Sequence, residues 1–332
     1  DRGIDSSRTV QFNVDGQDDS FIDLSQCYLK TTLRVVTASG EECPANASVF
    51  LGPYFGNMLW SQANISLNGT SLPPSAEYAH TATLIDLLGT SPEKRENSQI
   101  HTGATGAHFG SSHVEDVYKD SFPWQIGRSR SSKPLEIYDR IHSDFMMSCG
   151  QLLANKFRLC ITLTRGKDSH VLCKQNKEDP VDYKVEVLSV SLYVKRIHLN
   201  QAAILLAEKK LADGGKYHYQ RLHTLAFNCG KGSRTWSWHN CFNGLAPRRV
   251  FMVMLGQENY FGSWSRLSTY YESACVSAVR FCLDGREIMP EPYRPSFTYF
   301  KPEKDQDPNR LGKINDLETD ARGAYAGLCR VL

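Results

Sequence analysis

The feature that most constrains this chain is a strict two-residue alternation, repeated in short runs and cut by turn residues. In "KFRLCITLTR", Phe157, Leu159, Ile161 and Leu163 fall on one side, and Arg158, Cys160, Thr162 and Thr164 on the other. Side chains of an extended strand point alternately to opposite faces, so this pattern belongs to a strand buried on one face. "TVQFNVDG", "FIDLSQCYLKTTLRVVT", "YKVEVLSVSLYVKRIHL" and "ACVSAVRFCLDG" read the same way. "RRVFMVMLG", bounded by Pro247 and Gly256, is a continuous apolar run that reads as a strand buried on both faces. Short strands separated by turn signals predict an all-β chain of antiparallel sandwich or barrel type.

Two turns repeat one sentence. "NISLNGTSLPP" carries Asn68-Gly69 and "VRFCLDGREIMP" carries Asp284-Gly285. Both dipeptides suit the positive φ of tight hairpins, so a hairpin is expected at each, with Gly69 and Gly285 at φ > 0. The helix and hairpin come in different order in the two halves, which excludes a simple tandem copy.

Helix signals are few. "SAEYAHTATLIDLLG" predicts a helix over about 76–88 lying outside the sheets, with Ser75 as N-cap and Leu84, Ile85, Leu87 and Leu88 as its apolar end. "NQAAILLAEKKLADGG" predicts another, capped by Asn200 and stopped by Gly214-Gly215. Its buried stripe is expected at Ala202, Leu205, Leu206 and Leu211. On that reading Leu205→Asp costs several kcal/mol.

With 332 residues, 41% hydrophobic, the chain can bury one large or two medium cores. The polar stretch "KQNKEDP" marks the expected join. Residues 1–177 are then a first domain, with a Gly/Ser/His-rich loop over 101–134. Residues 178–296 are a second, incomplete domain, and 297–332 an irregular tail. The run Tyr183–Leu199 is expected to leave the first domain and enter the second.

A net charge of +2 argues against a groove that binds nucleic acid directly, which needs a denser basic stripe. The ten cysteines form neither a CxxC pair nor a zinc-spaced set with histidine. Cys27, Cys160, Cys275 and Cys282 lie in strand-like runs and read as free thiols of a reduced, intracellular protein. Neither a signal peptide nor a membrane span is visible. The sequons at Asn46, Asn64 and Asn68 read as chance matches, and the start at Asp1 fits a processed chain or a fragment.

Five segments taken together, "FIDLSQCYLKTTLRV", "LWSQANISLNGTSLPPSAEYAHTATLIDLL", "YDRIHSDFMM", "YKVEVLSVSLYVKRIHLN" and "LDGREIMPEP", resemble the major capsid protein of Polinton/Maverick-type elements and related viruses. That lineage is the double jelly-roll one that includes adenovirus hexon. The resemblance runs from about Phe21 to Pro295. It implies two jelly-roll domains, three copies per capsomer and an icosahedral shell. It also implies a virion protein assembled in the host cytoplasm or nucleus, with itself and a penton-like minor capsid protein as partners and no membrane. The family's chain continues for several strands past the second hairpin. The segment after Pro295 shows no convincing strands, so the second jelly roll reads as incomplete, like that of a decayed transposable or endogenous viral element.

The residues themselves offer no enzyme. His101, His108 and His113 lack a fourth ligand and convergent spacing, so no metal or cofactor is expected. His239 and Cys241 share a strand face but lack an orienting acid. "GKGSR" at 230–234 lacks the phosphate-loop order and reads as a turn. "GRSRSS" and "PRRV" are local basic spots. "YFGSWSRLSTYYES" is the unusual loop: Tyr260, Phe261, Trp264, Tyr270 and Tyr271 are candidate interface anchors, with intradomain packing as the equal alternative. The rival function is a jelly-roll module that binds carbohydrate or another small ligand.

Overall fold

The computed structural model describes residues 9–17, 19–44, 47–74, 77–89, 114, 132–176, 178–212, 214, 216–230, 232–242, 247–271, 276–283 and 285–294. Their elements are mostly antiparallel strands with a few short helices. The strands are β1 (Thr9–Val14), β2 (Ser20–Thr37), β3 (Val49–Leu51), β4 (Trp60–Leu67), β5 (Thr70–Ser71), β6 (Leu135–Asp139), β7 (Leu159–Arg165), β8 (Leu172–Lys174), β9 (Tyr183–His198), β10 (Cys282–Leu283) and β11 (Arg286–Glu287). The helices are α1 (Phe55–Met58), α2 (Tyr78–Gly89), α3 (Asp144–Ser148), α4 (Asp168–Val171), α5 (Gln201–Ala212) and α6 (Gln257–Phe261).

Two sheets enclose the main core. One has the order β1-β7-β4-β5, the other β6-β2-β9. Leu159, Ile161 and Leu163 of β7, with Ala63 and Ile65 of β4, supply one inner face. Leu29, Leu33 and Val35 of β2, Ile137 of β6, and Val185 and Val187 of β9 supply the other. The alternation of β7 therefore sets its burial, as two-sheet packing requires. A small third sheet pairs β3 with β8, where Phe50 and Cys173 are buried with Leu267.

The first hairpin follows its turn chemistry. Asn68 has φ 48 and Gly69 φ 80, and the Asn68 side-chain oxygen accepts the Arg158 N–H at 2.7 Å. The second is two residues a side, β10 against β11, exposed, with Gly285 at φ 77. Asp284 lies outside the described residues, as do Ser75, Cys275, the histidines of 101–113, the basic spot at 127–131 and the tail 297–332.

Four expectations are corrected. First, Tyr183–His198 does not leave the first domain. As β9 it pairs with β2 from Thr37↔Tyr183 to Ser20↔His198, with bulges between Asp23 and Tyr28 and between Thr32 and Leu33. The polar stretch before it is no linker: Asp179 accepts hydrogen bonds from Ser48, from the Val181 N–H (3.0 Å) and from Tyr183 (3.1 Å). Those bonds outweigh burial and hold its carboxyl below the usual range. The compact units are residues 1–236 with 257–270, and 237–256 with 271–332, not a division at 177.

Second, the packed part of α2 is not its apolar end. Its first half, from Tyr78 to Thr83, is buried, while Leu84–Leu88 are only half-buried. Third, α5 is capped as expected, Asn200 Oδ1 accepting the Ala203 N–H at 2.8 Å, but it buries no residue. Leu205 and Leu206 are 62% and 63% exposed, and the half-covered face is Ala203, Ile204, Ala207 and Leu211. Of the expected stripe only Leu211 is on the half-covered side. Fourth, Arg248–Gly256 forms no strand with its own ladder, and Phe251 and Val253 are exposed. A strand needs a partner for its backbone groups, and an apolar run alone does not supply one.

Candidate functional site

The two outer faces of the main sandwich differ in chemistry. On the β1-β7-β4-β5 sheet the outward residues are amides, hydroxyls and a thiol. Gln62 donates to Asn64 at 3.0 Å, and Gln11 to Cys160 at 3.1 Å. Such a face is satisfied by its own neighbours and by water.

The outer face of β6-β2-β9 carries rings and charges. Alternation places Tyr28 and Lys30 outward on β2, Tyr138 on β6 and Tyr193 on β9. The register puts Tyr28 opposite Tyr193 and Lys30 opposite Tyr138. Tyr28 and Tyr193 stack at 4.8 Å and 6°, and Tyr138 closes on Tyr28 at 6.0 Å. Lys30 sits 5.7 Å over the Tyr138 ring and 3.0 Å from Glu136. Cross-strand aromatic and charge pairs of this kind stabilise a sheet. They do not hide it: Tyr28 is 38% and Tyr193 43% exposed. β9 is also the end strand of its sheet, so one row of its backbone groups has no ladder partner among the described strands.

Behind the sandwich lies a polar cluster that the sequence did not signal. Asp86 of α2 accepts from Asn57 of α1 at 2.7 Å and faces His142 Nε2 at 3.1 Å. The His142 N–H donates to the Tyr78 hydroxyl at 3.2 Å. Asp139, at the end of β6, is buried, and its Oδ1 has no hydrogen-bond partner among the described residues. Burial first, and then the charge of Asp86, push its carboxyl well above the usual range. Gly56 makes room for it, since a Cβ there would stand 2.0 Å from Asp139 Oδ2. Sequence spacing could not have found this cluster, because its residues come from three separate segments. The cluster ties α1 and α2 to the end of β6, with His142 and Asp139 buried and Asp86 partly exposed. It has the chemistry of a structural network, not of a nucleophile or base open to substrate.

The aromatic loop is divided in use. Tyr260 stacks on His80 at 5.6 Å and 13°, and its hydroxyl donates to Glu77 at 2.8 Å. Burial first, and then that carboxylate, push the Tyr260 phenol up to about 12. The Trp264 ring lies 5.0 Å under Lys174 Nζ, and Tyr270 packs against Phe50 and Leu267. Phe261 is 55% exposed. Tyr271 is half-buried and belongs to the other compact unit.

Among the described residues no group of three or more His, Cys, Asp or Glu could hold a metal ion. The exposed His239 has Ser237 as its hydrogen-bond partner at 3.3 Å. Gly230–Ser233 is a turn, closed by the Ser233 N–H on the Gly230 carbonyl at 3.2 Å, with Gly232 at φ 84. The eight described cysteines are free; Cys27, Cys43, Cys149 and Cys173 are buried, and Cys282 is exposed. No described helix is long and apolar enough to cross a membrane.

No family model matches this chain, and no curated protein does. Solved structures do. The chain is similar to the mavirus major capsid protein, with 11% identity and a TM-score of 0.34 over 59% of this chain and 44% of that one. It is also similar to PBCV-1 VP54 as fitted into a cryo-EM reconstruction of the virophage Sputnik, with 10% identity and a TM-score of 0.30 over 60% and 44%. The PBCV-1 virus capsid, in a quasi-atomic model, gives 10% identity, a TM-score of 0.30 and the same two shares. The matches thus cover under half the length of each of these chains.

Proposed function

We propose that this chain is a structural shell subunit that works by self-association and not by catalysis. The observation that carries the reading is the outer face of β6-β2-β9: a row of three tyrosines with flanking charges, beside an end strand, on a rigid two-sheet frame. Rings held in place by stacking bury a large area on contact at little entropic cost. The ordered segments that resemble Polinton/Maverick-type capsid proteins support the same reading. The assembly it implies is a homotrimeric capsomer within a virion, built in the host cytoplasm or nucleus, with a penton-like protein as a further partner. Of the aromatic loop, Phe261 is the most exposed ring, packed edge-on to Tyr260 at 5.1 Å. The stacked Tyr28 and Tyr193 close each other's faces, which counts against a sugar platform.

Size-exclusion chromatography with light scattering tests the proposal on the full chain. The expected mass is that of a trimer or larger, from contacts burying on the order of 1,600 Å² each. Tyr28→Ser with Tyr193→Ser is expected to lower that mass without lowering the melting temperature by more than a few degrees. A monomer at every concentration overturns the reading.

A further inference from the structure

We infer that residues 257–270 form a strap whose docking on the sandwich unit is sensitive to protons through His80 and His170. The strap begins with α6 and belongs to the compact unit of residues 1–236, although residues 237–256 intervene in sequence. It is held at four kinds of contact. The Lys174 N–H donates to the Trp264 carbonyl at 2.7 Å, and the Val114 N–H to the Ser265 carbonyl at 3.1 Å. Leu267 is fully buried against Phe50 and Cys173. Tyr260 stacks on His80 and donates to Glu77. Gly262, at φ 84, lies so close to His170 that a Cβ would stand 2.2 Å from its Cδ2 and 2.7 Å from Ser169 Oγ.

Two histidines from different helices, His80 of α2 and His170 of α4, thus form the floor under one end of the strap. Their rings lie 6.1 Å apart. Burial and the neighbouring His170 push the proton affinity of His80 down, against the Tyr260 backbone and Glu77, which favour the proton. Burial and Lys167 push that of His170 down, against the Phe261 backbone and Glu77. Nearby Asp168 is engaged by Arg165 at 2.8 Å. Both histidines therefore bind protons less readily when the strap is docked than in the unfolded or undocked state. The sign follows: docking is fully supported above the ordinary histidine value of about 6.5 and is lost as pH falls below it. Two imidazolium rings beneath one strap would also repel each other. Release would bare Phe50 and Cys173 of the β3–β8 sheet.

Hydrogen exchange of the full chain, read by mass spectrometry and corrected for intrinsic rate, tests this. Between pH 7.5 and 5.5, protection over 257–270 should fall. Peptides from β7 should keep theirs. His80→Gln with His170→Gln should remove the pH dependence. Should that variant fail to fold, titration of the two histidines by NMR in the unaltered protein decides. Values below 6.5 sustain the inference. Values at or above 6.5, unchanged strap protection, or equal loss in β7 overturn it.

Discussion

The two compact units read alike in sequence and differ in structure. "KFRLCITLTR" and "RRVFMVMLG" both look like strands. The first is β7, flanked by β1 and β4, with Leu159, Ile161 and Leu163 fully buried. The second, in the other unit, lies without a ladder of its own and leaves Phe251 and Val253 exposed. The difference teaches that apolar pattern proposes a strand and a neighbouring strand makes it one. β7 has two neighbours that satisfy its backbone and cover its face. Arg248–Gly256 has no ladder among the described strands and is at most half-buried.

The strongest way to break that comparison is truncation in each segment. Phe55→Ala or Leu163→Ala, in the sandwich core, is expected to cost about 2–5 kcal/mol by chemical denaturation. Phe251→Ala should move the same transition by no more than about 0.5 kcal/mol. Equal losses would mean that the second segment is as well packed as the first.

Gly56→Ala sharpens the picture within the sandwich. A methyl group there meets the Asp139 carboxyl, and overpacking should cost about 1–3 kcal/mol in the same assay. The hairpins come next. Gly69→Ala forces a side chain into φ 80 and should destabilise by about 1 kcal/mol. Gly285→Ala carries the same local strain, yet the main transition should not register it, since two-residue exposed strands add little to a cooperative core. Asp139 gives a pH signature. Its carboxyl is raised in the folded state, so the stability it allows is present below about pH 4 and lost as pH rises through the raised value. Asp139→Asn should therefore gain on the unaltered protein as pH climbs from 4 to 8, in melting temperatures taken along that series. Leu205→Asp is also expected to have a small effect. With Leu205 out in solvent, its change should stay within about 0.5 kcal/mol, not the several first expected of a buried stripe.

Much of the frame was legible because it is local. The faces of β7, the turn at Asn68-Gly69 and the cap at Asn200 each follow from a few adjacent residues. The sheet to which β9 belongs was not legible, because pairing with β2 is a choice among distant partners and alternation is blind to it. For the same reason Asp86, Asp139 and His142 gave no signal, and neither did His80 and His170. Each is ordinary in its own segment and gains meaning only from a residue far along the chain. The face of α5 was misjudged, Leu211 apart, because helical spacing fixes which residues share a side but not which side meets the protein.

The length of the β2–β9 ladder sets a timetable. Ser20 and Arg196, joined across it, are 176 residues apart. On a ribosome the longest strand near the start of the chain must wait, one edge open, until nearly two hundred residues have emerged. Closing so large a loop is entropically costly before any contact forms, and folds dominated by such distant pairings are slow. Through that interval the nascent chain presents an eighteen-residue strand with one largely apolar face that other strands can capture. Yield of this protein should therefore depend more on chaperone supply and synthesis rate than on its final stability.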